Sequence, residues 1–266
     1  MRDPHVTRVY FTVGSDEGIS YRNPAPLSFS HHIGKFNLVN GRLKIEPSWH
    51  FANVEQARRI IEPFLWAWEI NTDLTGNWGE IRFNFDRVEL VDRDPPPPGA
   101  GRILECEARS HAVATANLHS EMVRTKYPPP PVNFDWSEKL GHAYERWKNY
   151  LAGGESLQQT AYFIFDYLKN IPGGEKAASE QYRISNNILK YIRKLSSYGG
   201  SPATSRKAPI DNKFVELGDD EKEWLEAAVR KIIHRIGEHA SCADLEMLTL
   251  SDLPTLTRRR SRAGNR

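Results

Sequence analysis

The sequence predicts an α+β protein, in which a mostly antiparallel N-terminal sheet with a packed helix precedes a C-terminal bundle of about four helices. Before residue 127, apolar and polar residues alternate in several segments, which is the two-residue period of strands with one buried face. After residue 135, apolar residues recur every three or four positions, as they do on amphipathic helices. A run of four prolines, 128–131, separates the two patterns. Proline runs favour an extended, semi-rigid backbone, so a linker is predicted there.

These patterns divide the chain into a sheet domain, a linker, a helical domain and a tail. Their predicted bounds are 1–127, 128–134, 135–253 and 254–266. The tail is rich in arginine, and we expect it to be disordered because it has too few apolar residues to form a core.

The clearest signal in the sheet domain is a hairpin at 35–46. Its two alternating segments flank Asn40-Gly41, the pair that a type I′ turn prefers because both central residues need a positive φ. Further strands are predicted at 6–13, 79–93 and 101–122, the last two as antiparallel partners, while 14–34 has the composition of turns. Helical spacing runs from Val54 to Trp68, and Pro63 within it predicts a kink or two short helices.

The clearest helix of the second half is predicted at 219–239. It carries a broad apolar stripe, begins with three acidic residues and ends with His234, Arg235 and His239, which suits the helix dipole. Earlier helices are predicted after the capping signals Asp135–Glu138 and Ser156–Gln159, and a third from about 177 to 198. The connection 199–217 is long, which is typical of functional or disordered loops.

The composition excludes several classes of protein. The chain has 266 residues and a formal net charge of +2, too small to indicate nucleic-acid binding by itself. No apolar run approaches the roughly 18 residues that span a bilayer, and the first residues do not have the layout of a signal peptide. Cys106 and Cys242 are far apart and form neither a disulfide framework nor a zinc motif. We therefore expect a cytoplasmic protein.

A basic surface is the first candidate binding site. Its residues come from two predicted helical regions and the loop between them: Lys190, Arg193, Lys194, Arg206 and Lys207. If they converge, they form a patch suited to the phosphates of a nucleic acid. Nearby glutamates oppose that interpretation by neutralising the patch.

Arginine and histidine on the helix at 219–239 suggest a second candidate site. Arg230 precedes His234, and Arg235 precedes His239, with three residues between the members of each pair. This arrangement resembles that of the HEPN ribonucleases, a family of small bacterial helical bundles, which carry an arginine and a histidine with four to six residues between them, a longer spacing than here. The resemblance implies a divergent ribonuclease, possibly of a bacterial defence or toxin-type system, with these four residues at its active site. The polar residue that follows the arginine in that family is replaced here by Lys231 and Ile236.

The sheet half contributes two more candidates. Its histidines are possible metal ligands by residue type: His31, His32, His50, His111 and His119. None lies in a local metal motif, so neither a metal nor a cofactor is predicted. Trp66 lies off the apolar stripe of its helix and is predicted to face a partner.

Together these features predict a non-enzymatic accessory or adaptor protein. The sheet domain would bind a protein partner, or a second copy of the chain, through Trp66. The helical half would assemble with other proteins or contact RNA or DNA through its basic surface. The HEPN-like nuclease is the alternative, and converging arginine and histidine side chains in a cleft would favour it.

Overall fold

The computed structural model describes residues 3–16, 18–94, 122–170, 173–198 and 216–256. The chain divides into two compact units, Met1–Val132 and Asn133–Arg266, and the division falls inside the predicted 128–134 linker. The first unit contains an antiparallel sheet and one long helix, and the second contains helices. The predicted fold class is therefore confirmed.

Seven strands are found in the described part of the first unit. They are β1 (Pro4–Gly14), β2 (Ile19–Ala25), β3 (Leu27–His31), β4 (Gly34–Val39), β5 (Arg42–Pro47), β6 (Arg82–Asp92) and β7 (Met122–Lys126). Five of them form an antiparallel sheet in the order β3-β4-β5-β1-β6. The predicted hairpin is confirmed as β4 and β5, because Asn40 and Gly41 both have a positive φ, 48° and 72°.

Two strands that were not predicted lie in the turn-rich segment 14–34. β3 is an edge strand of the main sheet, and β2 pairs in parallel with β7 in a separate two-stranded sheet. Proline and polar residues interrupt the alternation that would have indicated these strands. Pro24 and Pro26 lie near strand ends, where a missing N–H is tolerated. The strand predicted at 101–122 as the partner of β6 lies, except for its last residue, outside the described residues. Within the described part, β6 pairs with β1.

The helix α1 (Val54–Thr75) runs without a break through Pro63, so of the two predicted alternatives, a kink or two short helices, the second is wrong. Asn53 caps it by accepting a hydrogen bond from the Gln56 N–H at 2.9 Å. Its buried face continues on both sides of the proline and packs on the sheet, in a core that includes Phe36, Phe64 and Trp68. This tertiary packing outweighs the one backbone hydrogen bond that Pro63 removes.

Gly34, at the start of β4, lies where two strand backbones leave no room for a side chain. A Cβ at this position would be 2.4 Å from the carbonyl oxygen of Glu46 in β5. Replacing Gly34 by alanine is therefore expected to separate the two strands and lower the free energy of unfolding by about 2 kcal/mol. Chemical denaturation measures this change. Gly14→Ala is the control, because nothing lies within 4 Å of a Cβ there, and equal effects of both variants would contradict the expectation.

The second unit contains five α-helices and one 3-10 turn in its described part. They are α2 (Glu138–Leu151), α3 (Leu157–Asn170), α4 (Glu175–Tyr182), α5 (Asn186–Tyr198), α6 (Asp219–Ala240) and the turn η1 (Leu250–Asp252). The predicted helix at 219–239 is confirmed as α6. Ser156 and Gln159 cap α3 reciprocally, as predicted. α2 is instead capped by Ser137, whereas the N–H of Asp135 donates to the carbonyl of Gly237.

The predicted single helix at 177–198 is wrong, because it is divided into α4 and α5. Arg183 ends α4 in the left-handed region, with φ 51°. The chain after α6 then returns to this break. The N–H of Leu248 donates to the carbonyl of Arg183, and the N–H of Ser185 donates to the carbonyl of Leu248, both at 2.8 Å. These hydrogen bonds replace those that a continuous helix would have made.

Among the described residues, no helix combines the length and apolar character needed to cross a membrane.

Candidate binding groove

A groove of about 580 Å³ lies between α5, α6 and the segment that begins at η1. Its lining residues come from three distant parts of the sequence: Tyr191, Lys194, Leu195, Glu221, Trp224, Leu250, Ser251, Pro254, Thr255 and Leu256. The apolar stripes of α5 and α6 bring the two helices together, and residues 250–256 supply a third wall. A concave site of this size suits a small molecule or a few side chains of a peptide.

The groove has an apolar base and partly exposed apolar edges. Trp224 is 1% exposed, whereas Tyr191 and Leu250 are 39% and 37% exposed. The rings of Tyr191 and Trp224 lie 5.7 Å apart between centroids, at 59° to each other. An apolar side chain bound here would cover exposed tyrosine and leucine surface without requiring the buried tryptophan to move.

The two helical walls carry opposite charges. Lys194 is exposed on α5, with Lys190 one turn before it. Facing them is the acidic first turn of α6, where Glu221 accepts a hydrogen bond from the N–H of Gly218 at 2.8 Å and so caps the helix. A ligand in the groove therefore meets an ammonium group on one side and a carboxylate on the other, a combination that suits a peptide better than a polyanion.

The predicted basic surface is only partly described. Lys190 and Lys194 are exposed on α5, and Arg193 forms an ion pair with Glu175 at 3.1 Å between Nη1 and Oε2. Arg206 and Lys207 lie outside the described residues. Of these three described residues, Arg193 is thus paired with a carboxylate, and Lys194 lines the groove.

The arginines and histidines of α6 take part in the packing of the second unit. Arg235 is buried, its Nε lies 3.0 Å from Oε2 of Glu238, and its Nη1 donates to the carbonyl of Glu246 at 2.6 Å. His234 lies 3.5 Å from the same glutamate and packs on the ring of Phe134. Burial tends to raise the pKa of Glu238, but His234 and the nearby cations lower it overall. Arg235 thereby holds the chain that leaves α6 against the helix.

The other two residues of the HEPN-like set have different surroundings. The ring of His239 packs at a tilt against Tyr182 of α4, with 4.7 Å between ring centroids. Arg230 is half-buried and lies about two helical turns before Glu238 on α6. The geometry brings Arg235 and His234 together on Glu238 and directs His239 toward α4.

Trp66 is exposed on α1, whereas its neighbours Leu65 and Ala67 are buried.

Two histidine pairs lie in the same unit: His31 beside His32, and His5 stacked on His50 with 2.9 Å between their Nδ1 atoms. His111 and His119 lie outside the described residues. Within the part of the chain that the structure describes, no three His, Cys, Asp or Glu side chains form a group able to hold a metal ion.

A cluster of three carboxylates, of which Asp73 is fully buried, lies where α1 meets the start of β6. Arg82 contacts the buried Asp73 at 2.9 Å and Asp16 at 2.8 Å. Glu69, one turn before Asp73, accepts a hydrogen bond from the N–H of Phe83 at 2.6 Å. Burial raises the pKa of Glu69 to about 7, a shift to which the charges of Asp73 and Asp16 contribute and which Arg82 opposes.

Sequence reasoning missed the groove, although it identified the apolar stripes of the helices that form it. Trp224 belongs to the apolar stripe predicted on the helix at 219–239 and is buried, but the return of residues 250–256 to α5 and α6 has no local signal. The only sequence hint was that apolar residues continue after α6, at Leu248, Leu250 and Leu253.

Comparison of the chain with known proteins found no matching family model and no significantly similar curated protein or solved structure.

Proposed function

We propose that the protein is a non-enzymatic cytoplasmic adaptor that binds a short segment of a partner protein in the groove between α5 and α6. The partly exposed Tyr191 and Leu250 above the buried Trp224 are the observation that carries the proposal. Interface hot spots are enriched in tyrosine and tryptophan and lie in pockets that become desolvated on binding. Trp66, exposed on α1, is proposed as a second and separate partner contact.

The chemistry of the groove favours a peptide with one bulky apolar side chain and one acidic side chain. The apolar side chain would cover Tyr191 and Leu250, and the acidic one would pair with Lys194. A nucleic acid fits the same walls less well, because Glu221 would repel its phosphates and Arg193 is already paired with Glu175. The contacts of Arg235 and His234 likewise supply structural roles for residues that the nuclease alternative would use in catalysis.

Selection from a random peptide library on the immobilised full chain tests the proposal. We expect peptides with an apolar and an acidic residue to be enriched, and their affinity to fall by about tenfold or more in Leu250→Asp, since burying a carboxylate against apolar groups costs more than 1.4 kcal/mol. Lys194→Glu should weaken binding through the acidic residue alone. Enrichment of no peptide would contradict the proposal.

Two matched controls make the result specific. Leu151 is 47% exposed at the end of α2 and does not line the groove, so Leu151→Asp should leave peptide affinity unchanged. Lys190→Glu changes the same charge as Lys194→Glu one turn away. If labelled single-stranded RNA binds and both lysine variants weaken it equally, while Leu250→Asp has no effect, the basic surface is the functional one and the peptide groove is not.

A further inference from the structure

A cluster of polar side chains from four helices lies at one end of the helical unit. None of them lines the groove. The cluster consists of Lys139 and His142 from α2, Tyr167 from α3, Tyr182 from α4 and His239 from α6. Lys139 Nζ donates a hydrogen bond to the hydroxyl of Tyr182 and lies 5.0 Å from the centroid of its ring. His239 packs on the same ring, and His142 Nδ1 lies 2.9 Å from the hydroxyl of Tyr167.

Lys139 is half-buried and has no acidic partner in the described structure, whereas the other described lysines that lack such a partner, such as Lys190, Lys194 and Lys231, are exposed. Lys148 on the same helix pairs with Glu145 at 3.2 Å, and Lys169 pairs with Asp166 at 2.8 Å. For Lys139, no carboxylate oxygen of a described residue lies within the 4.0 Å of an ion pair, and the side chain is half-buried. Without a counter-ion, burial disfavours the charged ammonium form.

The surroundings of Lys139 disfavour the positively charged forms of both Lys139 and His239. Burial lowers the pKa of Lys139, and burial together with the charge of Lys139 lowers the pKa of His239. Burial raises the pKa of Tyr182, which keeps its hydroxyl protonated. The cluster therefore combines an amine with an increased uncharged fraction, a neutral imidazole able to accept a proton and a phenol able to donate one.

We propose that Lys139 is a nucleophilic amine that condenses with small aldehydes, assisted by Tyr182 and His239. The nitrogen lone pair attacks the carbonyl carbon, the carbonyl oxygen takes up a proton from solvent, and the nitrogen gives up one proton to His239, which leaves a carbinolamine. Tyr182 then protonates the hydroxyl, which departs as water while the nitrogen lone pair forms the C=N bond of an iminium. The iminium nitrogen releases its remaining proton to solvent and becomes the imine. One amine and one aldehyde give one imine and one water, with no oxidation or reduction. The proton that His239 holds returns to the Tyr182 oxygen through solvent.

Site-resolved labelling of the full chain tests the proposal. The protein is mixed with a limiting amount of propionaldehyde at neutral pH, quenched at short times with borohydride, digested and analysed by mass spectrometry. We expect Lys139 to be labelled at least about tenfold faster than Lys148, since Tyr182 and His239 can assist proton transfer at Lys139 and such general acid–base assistance typically contributes about a hundredfold or more. Equal or slower labelling of Lys139 would overturn the proposal.

The variant Tyr182→Phe separates chemical assistance from simple accessibility. It keeps the ring that packs on His239 and Lys139 but removes the hydroxyl. Acetylation by an activated ester needs no loss of water, so its rate at Lys139 should change little, whereas aldehyde labelling at Lys139 should fall by about tenfold or more. Labelling at Lys148 provides the internal reference in each sample. If both reactions at Lys139 change by the same factor, Tyr182 does not assist dehydration and that role is overturned.

Discussion

Replacing Glu69 by glutamine is expected to stabilise the protein at pH 8 by about 2 to 3 kcal/mol and to have little effect near pH 4. The expectation follows from the burial of this carboxyl group between α1 and β6, which raises its pKa to about 7 from the ordinary 4.5. Glutamine keeps the oxygen that accepts the hydrogen bond from the Phe83 N–H. It cannot ionise, so the folded state no longer has to hold a buried charge beside Asp73.

The sign of this pH dependence is set by the raised pKa. Below about pH 4.5 the group is protonated in both the folded and the unfolded chain, and its contribution to stability is fully present. As the pH rises from 4.5 towards 7, the unfolded chain loses the proton while the folded chain retains it. The free energy of unfolding therefore falls across this window and levels off above the folded pKa.

Denaturant unfolding of the full chain at several pH values between 4 and 8 measures the effect as a difference between variant and wild type. Glu55→Gln makes the same chemical change at an exposed position on the same helix, and its difference from wild type should stay below about 1 kcal/mol at every pH. A Glu69→Gln difference that does not grow with pH would show that Glu69 ionises normally in the folded protein.

The elements that were predicted correctly are those whose information is local. Alternation with a positive-φ turn specifies β4 and β5, and a continuous stripe with matching end charges specifies α6. Two of the errors come from pairing between distant segments. Leu248 divides the predicted helix at 177–198 by bonding to its backbone, and β7 gives β2 a partner about a hundred residues away.

The same distinction explains how much of the candidate site was foreseen. Lys194 was predicted to be an exposed basic residue, but its place in a groove depends on the return of the chain to Leu250 and Pro254. Arg235 was predicted to complement the end of a helix dipole or to act in catalysis. Its hydrogen bond to the carbonyl of Glu246 depends on where the chain travels after α6, which no local pattern specifies.

Replacing Arg235 by alanine is expected to lower the free energy of unfolding by about 3 kcal/mol. The guanidinium group is buried, pairs with Glu238 and donates to the carbonyl of Glu246. Alanine would leave Glu238 with His234 as its ion-pair partner among the described residues and would remove the donor from a carbonyl that holds the segment after α6. Thermal and denaturant unfolding of the full chain measure the loss.

This variant also separates the adaptor from the nuclease alternative, because the two give Arg235 different roles. A structural arginine predicts reduced stability and, for protein that remains folded, unchanged behaviour towards RNA. A catalytic arginine predicts the reverse: RNA cleavage by the wild type that is lost in Arg235→Ala and His239→Ala while stability is retained. Lys231→Ala is the control, since Lys231 is exposed on the same helix and its loss should change stability by less than about 0.5 kcal/mol. Retained stability together with lost cleavage would make Arg235 a residue of a HEPN-like active site and would contradict its assignment as an anchor for the chain that forms the groove.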